Sequence, residues 1–338
     1  MTKTTIRTEY LERELVQIAL PQSYVVSDHP VAVGGTGRGP SPGEILLAAY
    51  TAETVFGVRD KADKLGLQIN PITVRCSFQP DREKVDGPLT SLGFLRRITR
   101  RIEIGSLVPI DDLDQFSVTL GIHKALESGI SIEERVEFLP GDKDIRDKDW
   151  VNANLRASDA DVAQLYQGSS NPGTEETKWR VSASEIAPNL ALVNLAGAPM
   201  LVSRNGSMNC PSPHDLFLAS LATCTTIYVA RNAHYCDAPI ADVAVETTAE
   251  KPVSLDDPIR LIEKVSFIAG NLSPKDAENC KFFSDFCAIG ETLKRGVEIV
   301  GDVILTHYVP NSGQAATTAF AEAAPPSELL CDDGQCCV

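Results

Sequence analysis

Two stretches of the chain carry nearly the same text. Gly39–Ala62 reads GPSPGEILLAAYTAETVFGVRDKA, and Cys210–Ala233 reads CPSPHDLFLASLATCTTIYVARNA. With Pro40 laid on Pro211 the columns run without a gap: Ser41 on Ser212, Pro42 on Pro213, Glu44 on Asp215, Leu47 on Leu218, Thr54 on Thr225. In that frame Glu53 faces Cys224. A chain that writes one helix twice is expected to fold as two copies of one module. Here one copy carries a thiol and the other does not, which points to cysteine chemistry in the second half and a structural or modulating role for the first.

The bulk properties agree. The 338 residues suit about two domains at the usual ~150 residues each. A formal net charge of −15 argues against nucleic acid or anionic membranes as partners, since both attract basic patches. No apolar run approaches the roughly 18 residues of a membrane helix. The opening MTKTTIRTEYLERELVQ has no signal-peptide core, so the expected compartment is the cytoplasm. Nine cysteines (Cys76, Cys210, Cys224, Cys236, Cys280, Cys287, Cys331, Cys336, Cys337) are an odd number without a spaced framework, and read as thiols rather than staples. The histidines His29, His123, His214, His234 and His307 show no metal spacing with them, so neither a metal nor a cofactor is expected.

Each repeated helix starts with a serine cap, a proline in the first turn and an acid three residues after the serine: Ser41, Pro42, Glu44, and again Ser212, Pro213, Asp215. Ser27–Pro42 reads as a strand followed by a shaped Gly/Pro loop. After each helix come alternating strands at 69–78 and 94–105, and at 240–249 and 262–270; then a shorter helix and a closing strand, at 130–139 and 296–305. The expected architecture is α+β, each module a mostly antiparallel sheet packed on two helices. The boundaries are 1–140 for the first module, 141–176 for a polar linker with one helix around Asp159–Tyr166, 177–310 for the second module, and 311–338 for a tail.

Counted at 3.6 residues per turn, Phe217, Ser220, Cys224, Tyr228 and Arg231 share one face of the second repeated helix. Cys224 there is either a packed small hydrophobe or a nucleophile, and a nearby guanidinium favours its thiolate. Cys287 falls in the first turn of a later helix, which Ser284 or Asp285 can cap, where the helix dipole lowers a thiol pKa. Aligning Leu126–Gly129 on Leu293–Gly296 sets Cys287 opposite Leu120, so both thiols are missing from the first copy together. Cys280, seven residues earlier, is the rival for a second thiol. Cys76 reads as strand packing and Cys210 as a loop residue. The tail CDDGQCCV reads as a thiol-bearing appendage, and its Gln335 excludes a prenylation box.

The PSP-led helix with its LATC, Pro211–Cys224, together with FCAIGETLKRGVEI, resembles the OsmC/Ohr family of organic-hydroperoxide reductases. The likeness covers about 1–140 and 177–310, as a tandem of two modules. It implies that Cys224 is the peroxidatic cysteine and Cys287 the resolving one. It also implies an intertwined dimer-like assembly, here within one chain, with the first half lending a wall and Glu53 at a dead site; further homo-oligomerisation stays open. His214 and Asp215 stand where the family carries a glutamate pair. Asp215 is therefore expected to orient the activating arginine, for which Arg180 and Arg204 are the candidates. His214, Phe217, Tyr228, Arg231 and Phe286 are expected to line the substrate pocket, with Phe282 and Phe283 nearby. The partners implied are an organic hydroperoxide or another small apolar substrate, and an external thiol reductant. Two other readings stand beside this one: a pocket turned to another cysteine-dependent reaction of lyase or hydrolase type, and a non-catalytic module binding an apolar ligand or a partner protein.

Overall fold

The repeated text starts two helices in the same way. Ser41 caps α1 (Pro42–Leu65): its hydroxyl accepts from the Glu44 N–H, and the Glu44 carboxylate accepts from the Ser41 N–H at 2.7 Å. Ser212 and Asp215 repeat this capping box on α3 (Pro213–Tyr235), with the Ser212 N–H at 2.8 Å from the Asp215 carboxylate. Both helices are buried on nearly all sides. A helix apolar all round belongs in the middle of a core, and that is where these two lie, packed against each other.

The structure, a computed structural model, describes residues 2–12, 14–20, 24–29, 35–84, 91–106, 110–143, 145, 180–195, 198–206 and 210–307. The linker beyond 145, with the helix read at Asp159–Tyr166, and the tail at 311–338 lie outside the described residues.

Around the two central helices stand two six-stranded sheets. The first half supplies β1 (Lys3–Glu12), β2 (Leu15–Ala19), β3 (Tyr24–Ser27), β4 (Ile69–Lys84), β5 (Ser91–Ser106), α2 (Gly121–Ser128) and β6 (Ser131–Leu139). The second supplies β7 (Val181–Ala187), β8 (Leu190–Leu195), β9 (Ala198–Ser203), β10 (Ile240–Glu250), β11 (Leu261–Gly270), α4 (Pro274–Asp285), α5 (Ala288–Arg295) and β12 (Glu298–His307). One sheet runs β3-β2-β1-β10-β11-β6, the other β12-β5-β4-β7-β8-β9. Each therefore mixes strands of both halves, in matching order. Helix α1 lies on β4, β7 and β8, and α3 on β1, β2 and β10. The fold is thus two mixed layers enclosing one core. Most pairs are antiparallel, but β6 runs parallel to β11 and β5 parallel to β12.

Side chains tie the halves across these seams. Thr8 of β1 meets Thr226 of α3 at 2.6 Å, oxygen to oxygen. Arg7, 1% exposed, bonds Glu9 at 3.2 Å, Glu246 of β10 at 3.1 Å and the Ile145 carbonyl at 2.8 Å. Arg59 of α1 holds Glu185 of β7 at 2.6 Å. A buried cation satisfied only by both halves makes separation costly, since an unpaired buried charge costs several kcal/mol.

One local expectation is corrected. Ser284 and Asp285 do not start the helix after them; they end α4, which carries its own capping box at Ser273 and Asp276. The residue that caps α5 is Cys287 itself, whose sulfur accepts from the Gly290 N–H.

Residues 177–310 produced alone lack β1 beside β10 and β4 beside β7, leaving open sheet edges that invite pairing. In size-exclusion chromatography this fragment is expected to elute as a self-associated species. A cooperatively unfolding monomer would show that the halves are independent.

Candidate active site

Cys224 and Cys287 come together where α3 passes the start of α5. Both thiols are free, and both sulfurs meet the first turn of α5. Four groups surround them. The Ile289 N–H donates to the Cys224 sulfur at 3.4 Å and the Gly290 N–H to the Cys287 sulfur at 3.3 Å. The Thr225 hydroxyl lies 3.1 Å from the Cys287 sulfur. The buried ammonium of Lys264 acts on both by its charge. Gly290 is needed for the close approach, because a Cβ there would stand 3.1 Å from the Cys287 sulfur.

The pair shares its protons unequally. Burial is the strongest influence on Cys287 and opposes ionisation. The hydrogen bond from Cys224, the Lys264 charge, the Thr225 hydroxyl and the Gly290 N–H together overcome it and bring Cys287 down to about 6. Cys224 moves the opposite way, well above the ordinary thiol range, through its bond to Cys287 and then through burial. At neutral pH the negative charge rests on Cys287 and the proton on Cys224. Access is also unequal: Cys224 is 7% exposed and Cys287 0%.

Lys264 is held in turn by a cluster that crosses the halves. Glu134, from β6, pairs with Lys264 at 3.3 Å and with Lys294 of α5 at 2.8 Å. Lys264 also donates to the Ser284 carbonyl. Burial pushes Asp285 up to about 7, reinforced by Glu134. Burial pushes Glu134 upward too, but its bond to Asp285 and the two lysines outweigh that, so Glu134 carries the negative charge. The sequence reading missed Lys264, Thr225 and Glu134. The signal for Lys264 was available: it occupies an inward position of the alternating β11, between buried Ile262 and Ser266.

The other expected residues are dispersed. Asp215 spends its carboxylate on Ser212, taking both its N–H and its hydroxyl, at 2.8 and 2.7 Å. It acts as a helix cap and not as the orienter of an arginine. Arg180 lies over the Phe78 ring at 4.2 Å and is drawn to Glu44 at the start of α1. Arg204 pairs with Asp60 and stacks over Phe56. Arg231 binds Glu14 at 3.2 Å, and Glu14 also holds His29 at 2.8 Å. Phe217 is fully buried in the central core and Tyr228 is half-buried at its margin. Phe286 caps α4 and stacks on Phe282, with ring centroids 4.6 Å apart. His214 lines a cavity with Glu53 rather than with the thiols. Cys280 packs with Val243, Ile268 and Phe283, and burial raises it to about 11.

In the first half, Glu53 stands where Cys224 stands in the second. Both of its oxygens accept the Ile122 N–H at 3.0 Å. Ile122 is the repeat partner of Ile289, so one backbone donor serves a carboxyl in one copy and a sulfur in the other. Burial raises Glu53 to about 8 against the pull of the Ile122 and His123 N–H groups.

No family model matches the chain, and no curated protein does. Two solved structures similar to part of it are these. An OsmC like protein from Mycoplasma pneumoniae is 17% identical, covering 38% of this chain and 96% of its own, with a TM-score of 0.31. A protein described as an osmotic stress induced and detoxification response protein, from Psychrobacter arcticus 273-4, is 17% identical over 38% of this chain and 90% of its own, with a TM-score of 0.26. No helix among the described residues is long and apolar enough to cross a membrane.

Two outcomes follow. Lys264→Met removes the buried cation, and the apparent thiol pKa in an iodoacetamide rate profile is expected to rise by about one unit, a tenfold slowing near neutrality. An unchanged profile would remove Lys264 from the site. Glu53 acts on stability. Between its ordinary value of 4.5 and about 8, the folded state keeps a proton that the unfolded state has lost. Its contribution is therefore whole below 4.5 and declines as pH rises to 8. In urea titrations, the stability of the wild type relative to Glu53→Gln is expected to fall across that window by on the order of 1 kcal/mol per pH unit.

Proposed function

We propose that the chain reduces hydroperoxides of small apolar organic molecules with its two thiols, drawing electrons from an external dithiol. The observation that carries this reading is the placement of both sulfurs on the first N–H groups of α5, Cys224 at 3.4 Å from the Ile289 nitrogen and Cys287 at 3.3 Å from the Gly290 nitrogen.

The chemistry runs from that arrangement. Cys287 thiolate takes the Cys224 proton as substrate enters. The Cys224 sulfur, the more exposed of the two, then attacks the terminal peroxide oxygen. The O–O bond breaks, its electron pair leaves with the alkoxide, and the alkoxide takes the proton from Cys287 to become alcohol. Cys224 is left as a sulfenic acid. Cys287, again a thiolate, attacks that sulfur and closes a disulfide; the displaced hydroxide takes a proton from solvent and leaves as water. The dithiol reductant opens the disulfide by exchange and is itself oxidised. The Ile289 and Gly290 N–H groups at the start of α5 stabilise whichever sulfur is negative.

The repeat supports a further part for Arg180. In the first half, Ser212 and Pro213 at the start of α3 share a cavity with Glu53. By the same relation the start of α1, with Arg180 beside Glu44, serves the thiol site, where a guanidinium suits the peroxide oxygens.

Turnover of cumene hydroperoxide with a dithiol tests this. Cys224→Ser is expected to abolish it. Cys287→Ser is expected to keep one slow turnover, giving a sulfenic acid trappable by dimedone, and to lose multiple turnover. Full activity in Cys224→Ser would overturn the assignment.

A further inference from the structure

The first half keeps a cavity at the place where it lost its thiol. It has a volume of about 290 Å³ and is walled by Glu53 and Ile122 from that half, by Arg204, His214 and Lys251 from the other, and by the apolar surface of Leu255. Two of the side chains that line it, His214 and Arg204, have buried nitrogens without a hydrogen-bond partner among the described residues, and Glu53 adds a carboxyl group. His214 is 5% exposed, and neither of its ring nitrogens has a hydrogen-bond partner among the described residues. Desolvation, the largest influence on it, keeps the ring neutral against the pull of Asp215 and the Glu250 carbonyl. A neutral imidazole has one N–H to give. The Arg204 Nε–H is buried and unpartnered, while its Nη2 reaches the Phe56 carbonyl at 3.1 Å and Asp60. Glu53 is protonated near neutrality, so one of its oxygens carries a hydrogen, while the pair of oxygens faces the Ile122 N–H.

Lys251 adds a positive charge, its ammonium 3.4 Å from the Asn205 carbonyl. The two aspartates that line the cavity are already committed. Asp60 is bound to Arg204, and Asp257 accepts from the Val253 and Ser254 N–H groups at 3.1 and 2.9 Å. Unmet buried donors are costly unless an acceptor completes them. A cation finds both lining aspartates already paired, and a neutral apolar molecule leaves the His214 and Arg204 nitrogens unmet. A carboxylate presents several lone pairs to converging N–H and O–H groups, and its alkyl chain suits Ile122, Leu255 and Ile259.

We propose that this cavity binds a small aliphatic carboxylate as a second, non-redox site, held by Glu53, His214 and Arg204 with Lys251 assisting. It does not depend on the thiol chemistry. No sulfur is among the described residues that line the cavity, and the ligand is held through hydrogen bonds rather than consumed.

Calorimetric titration of the full chain carrying Cys224→Ser tests this with hexanoate, methyl hexanoate and 1-hexanol as probes. Hexanoate is expected to bind at one site at least about tenfold tighter than the ester or the alcohol. Arg204→Gln is expected to weaken it by about tenfold, and Glu53→Leu likewise, whereas Glu53→Gln, which keeps an N–H donor, retains most of the affinity. Because Glu53→Leu also uncaps α2, Lys251→Ala gives a check that leaves that helix alone, with a loss of several-fold expected. The proposal is overturned by absence of hexanoate binding up to about 10 mM, by equal binding of the ester, or by unchanged affinity in Arg204→Gln and Lys251→Ala. Loss of binding on Cys224→Ser relative to wild type would place the ligand at the thiols and overturn it as well.

Discussion

The pairing of β1 with β10, and of β4 with β7, is the constraint from which the rest of the molecule follows. Each pair joins a strand of one half to a strand of the other, so neither sheet is complete without both. Strands drawn from two halves cannot close over separate cores. They bring α1 and α3 face to face, and the start of α3 reaches Glu53 of the first half. The cavity at Glu53 receives the first turn of α3 for this reason.

Within that interior the thiol chemistry depends on how a buried charge is tolerated. Helix α5 begins at a cysteine rather than at a serine, so its free N–H groups meet sulfur. The Lys264 ammonium compensates the thiolate, and Glu134 of β6 compensates Lys264. The first half, without a cysteine at either position, thus supplies the outermost member of a charge relay that ends on Cys287. That contribution is electrostatic.

Much of the fold was legible in the chain. The two capping boxes, the helix lengths and the alternating strands were written locally, in Ser41–Glu44, Ser212–Asp215 and the runs after each helix, and local rules of capping and periodicity govern them. The meeting of Cys224 with Cys287 was also legible, through paired presence and paired absence in the two copies. What was not legible depended on tertiary placement. Asp215 looked available for catalysis because a capping carboxylate and a catalytic one have the same spelling. His214 sits ten residues before Cys224 on the same helix, too far along it to share a site. Lys264 was a visible anomaly, a cation in an inward strand position, but its partner came from β6, across a parallel seam that no local pattern announces.

The matching order of the two sheets has a consequence for how such a molecule can change. In an assembly of identical subunits every substitution is made twice, and a residue good for one site is imposed on the other. With both halves in one polypeptide each position is altered once. A carboxyl could replace a sulfur over Ile122 while the sulfur over Ile289 stayed. Linkage in one chain also keeps the two partners at fixed stoichiometry, so dilution cannot part them. The molecule retains the geometry of a symmetric pair without the obligation to keep its two sites alike.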